Sequence, residues 1–328
     1  MKVNTKIIMG FAILVCAFLL ISPVSTAGFL HRHAIHDQLD QQTSRIEDNP
    51  SQDQTSDSQH WALLFAVGVY LNAPDQDRPS MLEAVDDLYD TLLDSPEIWK
   101  EENIQKITAS DATLQNLIKG LLWLRKNARS DDYVLVYITT HGGHLYHPLT
   151  GQPWDMPPKD EANGVDEILV MYNGFTNWYG FIWDDLLNFF LSIIRCEALC
   201  LIVDSCYSGG FDDYPYRFNT LGRKNDVTLT AESFVEGFVE SVARKGRVIL
   251  MSSEEDQLTY GSFFSEFLTL GFAGYGDDWG NNDGINSAQE AFGFAKPWVE
   301  LFVYVYTGQT QTPVMLDLYG EELPITMT

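Results

Sequence analysis

Basic residues are scarce in this chain: 20 Lys and Arg stand against 46 Asp and Glu among 328 residues. The resulting formal net charge of -26 repels phosphate backbones, and no cluster of Lys and Arg reverses that field locally. We therefore expect no nucleic acid partner. An acidic surface attracts divalent cations and cationic substrates, although a solvated acidic face without a partner is the commoner interpretation.

Several catalytic and ligand-binding patterns are also absent. No Gly-x-Gly-x-x-Gly or Walker-type phosphate loop is present, which disfavours a flavodoxin-like nucleotide or flavin binder. No Gly-x-Ser-x-Gly elbow surrounds Ser205 or Ser208, which disfavours a serine hydrolase. The cysteines and histidines show no zinc-type spacing.

Cysteines are few as well, with four in the whole chain. Cys16 lies in an N-terminal apolar run, which leaves Cys196, Cys200 and Cys206. In an exported chain, an odd number of cysteines means at least one free thiol, unless two molecules pair. We expect Cys196 and Cys200 to be buried, with a small disulfide between them as the alternative.

The N-terminus has the order of a secretory signal. Lys2 and Lys6 precede the apolar run Ile7–Ile21, and small residues at Ser25 and Ala27 allow cleavage after Ala27. Residues 7–24 just reach the length of a spanning helix, so an uncleaved anchor stays open as the alternative. Residues 28–60 are polar and read as a flexible tether. We expect a secreted or extracytoplasmic protein whose only membrane contact would be that anchor.

Beyond residue 60, strand-like and helix-like segments alternate up to residue 328. This alternation predicts one α/β domain at residues 61–328, with a mostly parallel six-stranded sheet and helices on both faces. The strand-like segments are Trp61–Val69, Ile104–Ile107, Tyr133–Ile138, Glu167–Tyr172, Ala198–Val203, Arg247–Met251 and Val314–Leu318.

Two buried strands end in chemically active residues. One leads into Thr140-His141-Gly142-Gly143, where we expect a tight turn, and the other into Asp204-Ser205-Cys206-Tyr207-Ser208-Gly209. Carboxyl ends of parallel strands form the usual ligand site of such sheets. A thiol and an imidazole at neighbouring ends supply a nucleophile and a proton acceptor. Taken singly, each motif could instead be an ordinary turn with an incidental histidine and a small core cysteine.

The two motifs, in this order and each closing an apolar strand, resemble those of caspases and metacaspases. The resemblance runs from about Trp61 to Tyr319, and the His-Gly-Gly motif is also similar to legumain-type peptidases. It implies a caspase-like three-layer sandwich and a cysteine endopeptidase. By resemblance, Cys206 is the nucleophile, His141 the general acid/base, and the backbone N–H groups of Gly142 and Cys206 form the oxyanion hole.

The resemblance to metacaspases also implies cleavage after Arg or Lys. Asp204 matches the acid that metacaspases place two residues before the nucleophile, and Asp87 matches one on the first helix. Two carboxylates in one pocket select a cationic side chain by charge-assisted hydrogen bonds. The alternatives are that Asp204 caps a turn and Asp87 lies on a solvated helix face. A legumain-like preference for Asn or Asp, or a catalytically silent peptide-binding protein, also stays open.

The resemblance implies no cofactor for the chemistry itself, with Ca²⁺ as a potential activator. Candidate oxygen ligands near the active site are Asp160, Asp166, Glu167 and Asp213. A second acidic loop approaches an EF-hand pattern through Asn281, Asp283, Ser287 and Glu290. Its first ligand position falls on Trp279, so we favour the alternative that Ser287 and Glu290 form a helix capping box.

Overall fold

The computed structural model describes residues 58–207, 237–252 and 262–327, except residues 148, 158, 160, 162–163, 178, 240 and 309. The helices are α1 (Ser80–Leu93), α2 (Leu114–Asn127), α3 (Asp184–Ser192), α4 (Phe263–Leu270), α5 (Gly276–Trp279) and α6 (Ala288–Thr307). Residues 237–239 and 241–242 are also helical. The predicted signal, the tether up to residue 57, Asp160 and Asp213 lie outside the described residues.

The central sheet contains the strands β1 (His60–Ala66), β2 (Ile104–Thr108), β3 (Tyr133–His144), β6 (Ala198–Tyr207), β7 (Arg247–Met251) and β9 (Val314–Asp317). Their order is β2-β1-β3-β6-β7-β9. All neighbours along it are parallel except β7 and β9, which are antiparallel. The predicted α/β class with a mostly parallel sheet is therefore confirmed.

The prediction of six strands was too low, because two short strands extend the same sheet to eight. Strand β4 (Glu167–Val170) pairs antiparallel with the far end of β3, and β5 (Phe181–Trp183) pairs with β4. A separate pair joins β8 (Ile285–Ser287) and β10 (Pro324–Met327). The β4–β5 hairpin lies beside the end of β3 that carries His141.

Helices cover both faces of the sheet because side chains alternate along each strand. On one face, Leu63, Phe65, Val136 and Ile138 belong to a core that includes the apolar sides of α2 and α3. On the other face, α1 packs against β1 and α4, and α4 packs against α6. The inner strands β1, β3 and β7 are buried along almost their whole length, as their continuous apolar runs predict, whereas the edge strands β2 and β9 are partly exposed.

The strands that carry the two motifs are longer than predicted. The predicted turn at Gly142-Gly143 is wrong: β3 continues through both glycines to His144, and β6 continues to Tyr207. The physical reason is pairing on both sides, since Gly142 lies between Leu169 of β4 and Tyr207 of β6 in register. Backbone pairing of this kind supports polar residues and glycines that would not favour a strand by themselves.

Among the described residues, no helix combines the length and apolar character needed to cross a bilayer. The cysteines described with their side chains are free, with Cys200 buried and Cys196 partly buried. Burial raises the pKa of the Cys196 thiol to about 11 and raises that of Cys200 further. The small disulfide between these two is therefore not formed, and both behave as core or near-core residues.

Candidate active site

The register of the sheet places His141 and Cys206 directly opposite each other on adjacent parallel strands. Adjacent strands lie about 5 Å apart, so the two backbone positions are immediate neighbours. For Cys206, the structure defines the position of the backbone in β6. A histidine and a cysteine that are far apart in sequence thus share one row at the carboxyl end of the sheet.

The imidazole of His141 is almost completely buried in an aromatic cradle. Tyr70 stacks on it with ring centroids 5.0 Å apart, and Phe175 meets it edge-on at 5.8 Å. The Tyr70 hydroxyl also accepts a hydrogen bond from the backbone N–H of His141, at 3.0 Å. This cradle fixes the plane of the ring.

Each ring nitrogen of His141 has a distinct environment. Nε2 lies 2.9 Å from the carbonyl oxygen of Gln76, and because a carbonyl only accepts, Nε2 carries the proton. Nδ1 is buried and makes no hydrogen bond within the described part of the chain. Burial lowers the pKa of His141 to about 4, so the ring is neutral near pH 7. Nδ1 is therefore an unprotonated base.

The predicted pocket acids lie on two different elements. Asp204 is buried in β6, where Ser265 Oγ donates to Asp204 Oδ2 at 2.5 Å. Asp87 is exposed on α1, and its pKa is raised by partial desolvation and by Asp90, Glu83 and Asp86. Both Asp204 and Asp87 raise the pKa of Glu266 on α4. The two predicted acids therefore act on one common residue that sequence reasoning did not identify.

A second group of carboxylates lies beyond the end of β3. Oxygen atoms of Glu161, Glu167 and Asp184 lie within 4.8 Å of one another. Glu167 and Asp184 are completely buried, and His144 Nε2 is 3.6 Å from Glu167 Oε1. Burial raises the pKa of Asp184 to about 7 and lowers that of His144 to about 4. The group therefore brings three carboxylates together, two of them completely buried.

The fit of this group to Ca²⁺ can be judged from its donors. Asp166, the residue before Glu167, is buried; its Oδ2 accepts from the N–H of Met156 at 2.6 Å, and its Oδ1 makes no hydrogen bond to the described residues. Burial raises the pKa of Asp166 to about 8. Ca²⁺ takes six to eight oxygen ligands, preferably with several carboxylates. The three carboxylates that lie together, Glu167 from the predicted set and Glu161 and Asp184 added by the structure, are donors that fit the ion.

The second acidic loop is held by its own hydrogen bonds. Ser287 and Glu290 form the predicted capping box at the start of α6, which is confirmed. The Asp277 carboxylate accepts from the backbone N–H groups of Asp283 and Gly284 at 2.8 and 3.0 Å, and Glu290 Oε1 accepts from that of Asn281 at 3.0 Å. Two of its carboxylates are therefore already engaged with backbone donors, and the EF-hand interpretation stays a prediction.

Sequence reasoning missed Tyr70, Gln76, Phe175, Glu161, Asp184 and Glu266 as parts of these sites. Gln76 and Tyr70 lie in the segment between β1 and α1, where no local pattern signals contact with a strand end some 65 residues later. Asp184 had a signal: it opens α3, directly after the hydrophobic residues of β5. Glu266 follows a residue that bonds Asp204, which only the packing of α4 reveals.

A family model described as metacaspase, peptidase C14 domain, matches residues 76–215, which is less than half of the chain. Metacaspase-1 of Candida albicans is 31% identical over 141 residues, covering 42% of this chain and 30% of that protein. Metacaspase-1B of Aspergillus niger is 26% identical over 184 residues, covering 54% of this chain and 39% of that protein. The matched part is thus less than half the length of each relative.

The comparison with solved structures gives TM-scores just under one half. Caspase-1 from Spodoptera frugiperda has a TM-score of 0.49 and 13% identity, covering 82% of this chain and 90% of that one. Protein GSU0716 from Geobacter sulfurreducens has a TM-score of 0.48 and 14% identity, covering 82% and 99%. Similarity at this level carries no statement about activity.

The family match and the metacaspase relatives confirm the resemblance that the two motifs predicted. Over residues 76–215, the chain is similar to metacaspases.

Proposed function

We propose that this protein is a cysteine endopeptidase in which Cys206 is the nucleophile and His141 is the general acid/base. The observation that carries the proposal is the shared row of His141 and Cys206 at the carboxyl end of the sheet. A neutral imidazole with one ring nitrogen held by a carbonyl and the other unprotonated supports the same assignment.

In the proposed reaction, His141 Nδ1 takes the proton from the Cys206 thiol, and the sulfur attacks the scissile carbonyl carbon. The carbonyl oxygen becomes an anion, which the backbone N–H groups of Gly142 and Cys206 stabilise as donors. The imidazolium then returns its proton to the leaving amine, and a thioester links the substrate to Cys206. Water, deprotonated by His141, cleaves the thioester and regenerates the thiol.

The Gln76 carbonyl and the aromatic cradle have defined parts in this reaction. Because Gln76 O accepts from Nε2, it favours the tautomer with a basic Nδ1 and stabilises the imidazolium that forms. Tyr70 and Phe175 hold the ring in place and keep water away from it. A preorganised imidazole of this kind needs little rearrangement at the moment of proton transfer.

We propose that the enzyme cleaves after Arg or Lys, with Asp87 and Asp204 in the pocket of the residue before the scissile bond. The proposal is supported by the effect of both carboxylates on one residue, Glu266. A legumain-like preference for Asn or Asp is the alternative within the same fold. A silent peptide-binding protein is the alternative outside catalysis.

We propose Ca²⁺ as an activator rather than as a participant in the chemistry. Glu161, Glu167, Asp184 and Asp166 would hold it, and Asp160 and Asp213 stay predictions outside the described residues. When bound, the ion would neutralise these buried carboxylates and order the segment next to β3. Secretion, with or without an N-terminal anchor at residues 7–24, stays a proposal as well.

The test compares the parent with Cys206→Ala and His141→Ala, and with Cys196→Ser as a matched thiol control. Fluorogenic peptides that differ only in Arg, Asn or Asp before the scissile bond are assayed with and without Ca²⁺. We expect cleavage of the Arg peptide, a loss of roughly a thousandfold or more in both site variants, and no loss in Cys196→Ser. Activity that survives in Cys206→Ala contradicts the mechanism, and cleavage of the Asp or Asn peptide alone contradicts the basic preference.

A further inference from the structure

Strand β6 extends beyond its neighbour β7 at the carboxyl end of the sheet. The last residues of the two strands in register are Val203 and Met251, and the N–H of Ser252 then donates to the Val203 carbonyl oxygen at 3.1 Å. On the other side, β3 stays paired with β6 to its end. Among the described residues, positions 204–207 therefore have a strand neighbour on one side only, and Cys206 is one of them.

The side chain of Ser252 bonds the backbone that β7 no longer reaches. Its Oγ accepts from the backbone N–H of Ser205 at 3.0 Å and donates to the carbonyl oxygen of Ser205 at 3.3 Å. A hydroxyl has one proton and two lone pairs, so it can make both bonds at once. Ser252 is completely buried and Ser205 is almost so, and buried backbone groups without a hydrogen bond are costly. The hydroxyl therefore replaces the missing strand at this one residue.

The bond to the Ser205 carbonyl oxygen has a consequence for Cys206. That oxygen belongs to the peptide group between Ser205 and Cys206, and the same group carries the Cys206 N–H, one of the two proposed oxyanion donors. Because the peptide group is planar, a bond that fixes its oxygen also fixes the direction of its N–H. A hydrogen bond accepted by the carbonyl also polarises the group and strengthens the N–H as a donor.

We propose that Ser252 is a positioning residue for the oxyanion hole, because its hydroxyl fixes the peptide group that presents the Cys206 N–H. Donors that are held in place before the reaction stabilise the developing anion most effectively. This inference rests on the proposed peptidase function with Cys206 as the nucleophile. Ser252 touches no reacting atom and takes no part in the proton transfers of Cys206 and His141.

The chain offers a matched control in Ser95. The Oγ of Ser95 accepts from the N–H of Met327 at 3.1 Å and donates to the carbonyl oxygen of Met327 at 3.2 Å. Ser95 is also buried, and Met327 belongs to β10, which lies in a separate sheet from β6. The two serines thus make the same pair of backbone bonds, one next to the proposed nucleophile and one on a different sheet. Removal of either hydroxyl should cost similar stability.

The test measures kcat and KM of the full chain with the fluorogenic peptide that the parent cleaves fastest. In Ser252→Ala, we expect kcat to fall about tenfold and KM to stay within about twofold, because the oxyanion exists only in the transition state. Ser95→Ala should keep the kcat of the parent, while thermal unfolding shows both variants to be less stable than the parent. An unchanged kcat in Ser252→Ala, or an equal fall in Ser95→Ala, overturns the proposal.

Alkylation of Cys206 gives a second readout, which separates the oxyanion hole from general support of the strand. Iodoacetamide forms a sulfur–carbon bond and releases iodide without creating an oxyanion. Its rate at Cys206, followed by mass spectrometry, should therefore stay within about twofold of the parent in Ser252→Ala. A rate that falls together with kcat shows that Ser252 only supports the strand, and it overturns the proposal.

The variant Cys206→Ala separates this inference from the proposed function. Activity that survives in Cys206→Ala overturns the peptidase mechanism, and the inference with it. Activity that depends on Cys206 and is unchanged in Ser252→Ala overturns the role of Ser252 alone. Should Ser252→Ala fail to fold, Ser252→Cys supplies a thiol that is only a weak donor and acceptor, so kcat should fall there as well. An unchanged kcat in Ser252→Cys then overturns the proposal.

Discussion

Buried charged groups have opposite kinds of surroundings at the two ends of the parallel strands. At the amino end, Asp132 is completely buried before β3, and its carboxylate accepts from the N–H groups of Gln59 and Arg129 and from the Trp61 indole, at 2.8 to 3.0 Å. Arg247, which begins β7, donates to Asn188, Ser192 and the Val242 carbonyl oxygen. Asp132 and Arg247 are thus each held by three hydrogen bonds.

At the carboxyl end, buried acids lie next to other acids. Asp166, Asp184 and Glu266 each have a pKa raised to between about 7 and 8, chiefly by burial and further by neighbouring carboxylates. A protein retains such unrelieved charge at a cost in stability, which is typical of functional sites. The difference teaches that the buried charges at the amino end are satisfied by fixed hydrogen-bond donors, whereas the buried acids at the carboxyl end lie against one another.

The largest effect is expected at the amino end. Asp132→Ala leaves three partly buried donors without their acceptor. The free energy of unfolding should therefore fall by about 3 kcal/mol. Urea denaturation followed by circular dichroism measures this loss. Asp131→Ala, at the partly exposed neighbouring position, is the control and should change stability little. A small effect of Asp132→Ala on the free energy of unfolding would contradict the view that the hydrogen-bonded charges at the amino end stabilise the fold.

At the carboxyl end, we expect the removal of a buried carboxylate to raise the stability of the fold rather than to lower it. The pKa of Asp184 in the folded state, about 7, lies above that of an unfolded aspartate, so its contribution to stability is fully present below about pH 4 and is lost as pH rises from there through 7. Asp184→Asn avoids that loss. Without Ca²⁺, it should therefore be more stable than the parent by about 2 kcal/mol at pH 8, with a smaller difference at pH 5 and little difference below about pH 4.

The same urea titrations with Ca²⁺ sharpen this prediction. Calcium should stabilise the parent at pH 8 and should stabilise Asp184→Asn much less, because a ligand has been removed. A variant that is less stable than the parent in the absence of Ca²⁺ at pH 8 contradicts the view that Asp184 is an unrelieved charge.

We expect a smaller effect from the substitution of a glycine next to the carboxylate group of Glu161, Glu167 and Asp184. A Cβ added to Gly237 would lie 2.5 Å from both carboxylate oxygens of Glu167, so Gly237→Ala must displace that side chain. We expect Ca²⁺ affinity, measured by isothermal titration calorimetry, to fall about tenfold, or about 1.4 kcal/mol. Gly293→Ala on α6 meets open space and should raise stability by about 0.5 to 1 kcal/mol without affecting Ca²⁺. Equal behaviour of the two variants would contradict the role of Glu167.

The sequence was sufficient to predict the paired motifs, the layer order and most strand positions, because these follow from local apolar runs and their order. It misplaced the ends of β3 and β6, because Gly142, Gly143 and Cys206 are in strands only through pairing with neighbours that are distant in sequence. Sequence reasoning missed Asp184, Gln76 and Glu266 for the same reason. Each lies at its site only because an element from elsewhere in the chain packs there.

The most direct measurement is mass spectrometry of the protein after reaction with an arginyl peptide that carries a thiol-reactive ketone. The account predicts labelling at Cys206 in the presence of Ca²⁺ and its loss in His141→Ala, with Cys196 and Cys200 unlabelled in both. Labelling of Cys196 or Cys200 instead, or an active parent whose Cys206 stays unmodified, would contradict the pairing of Cys206 with His141.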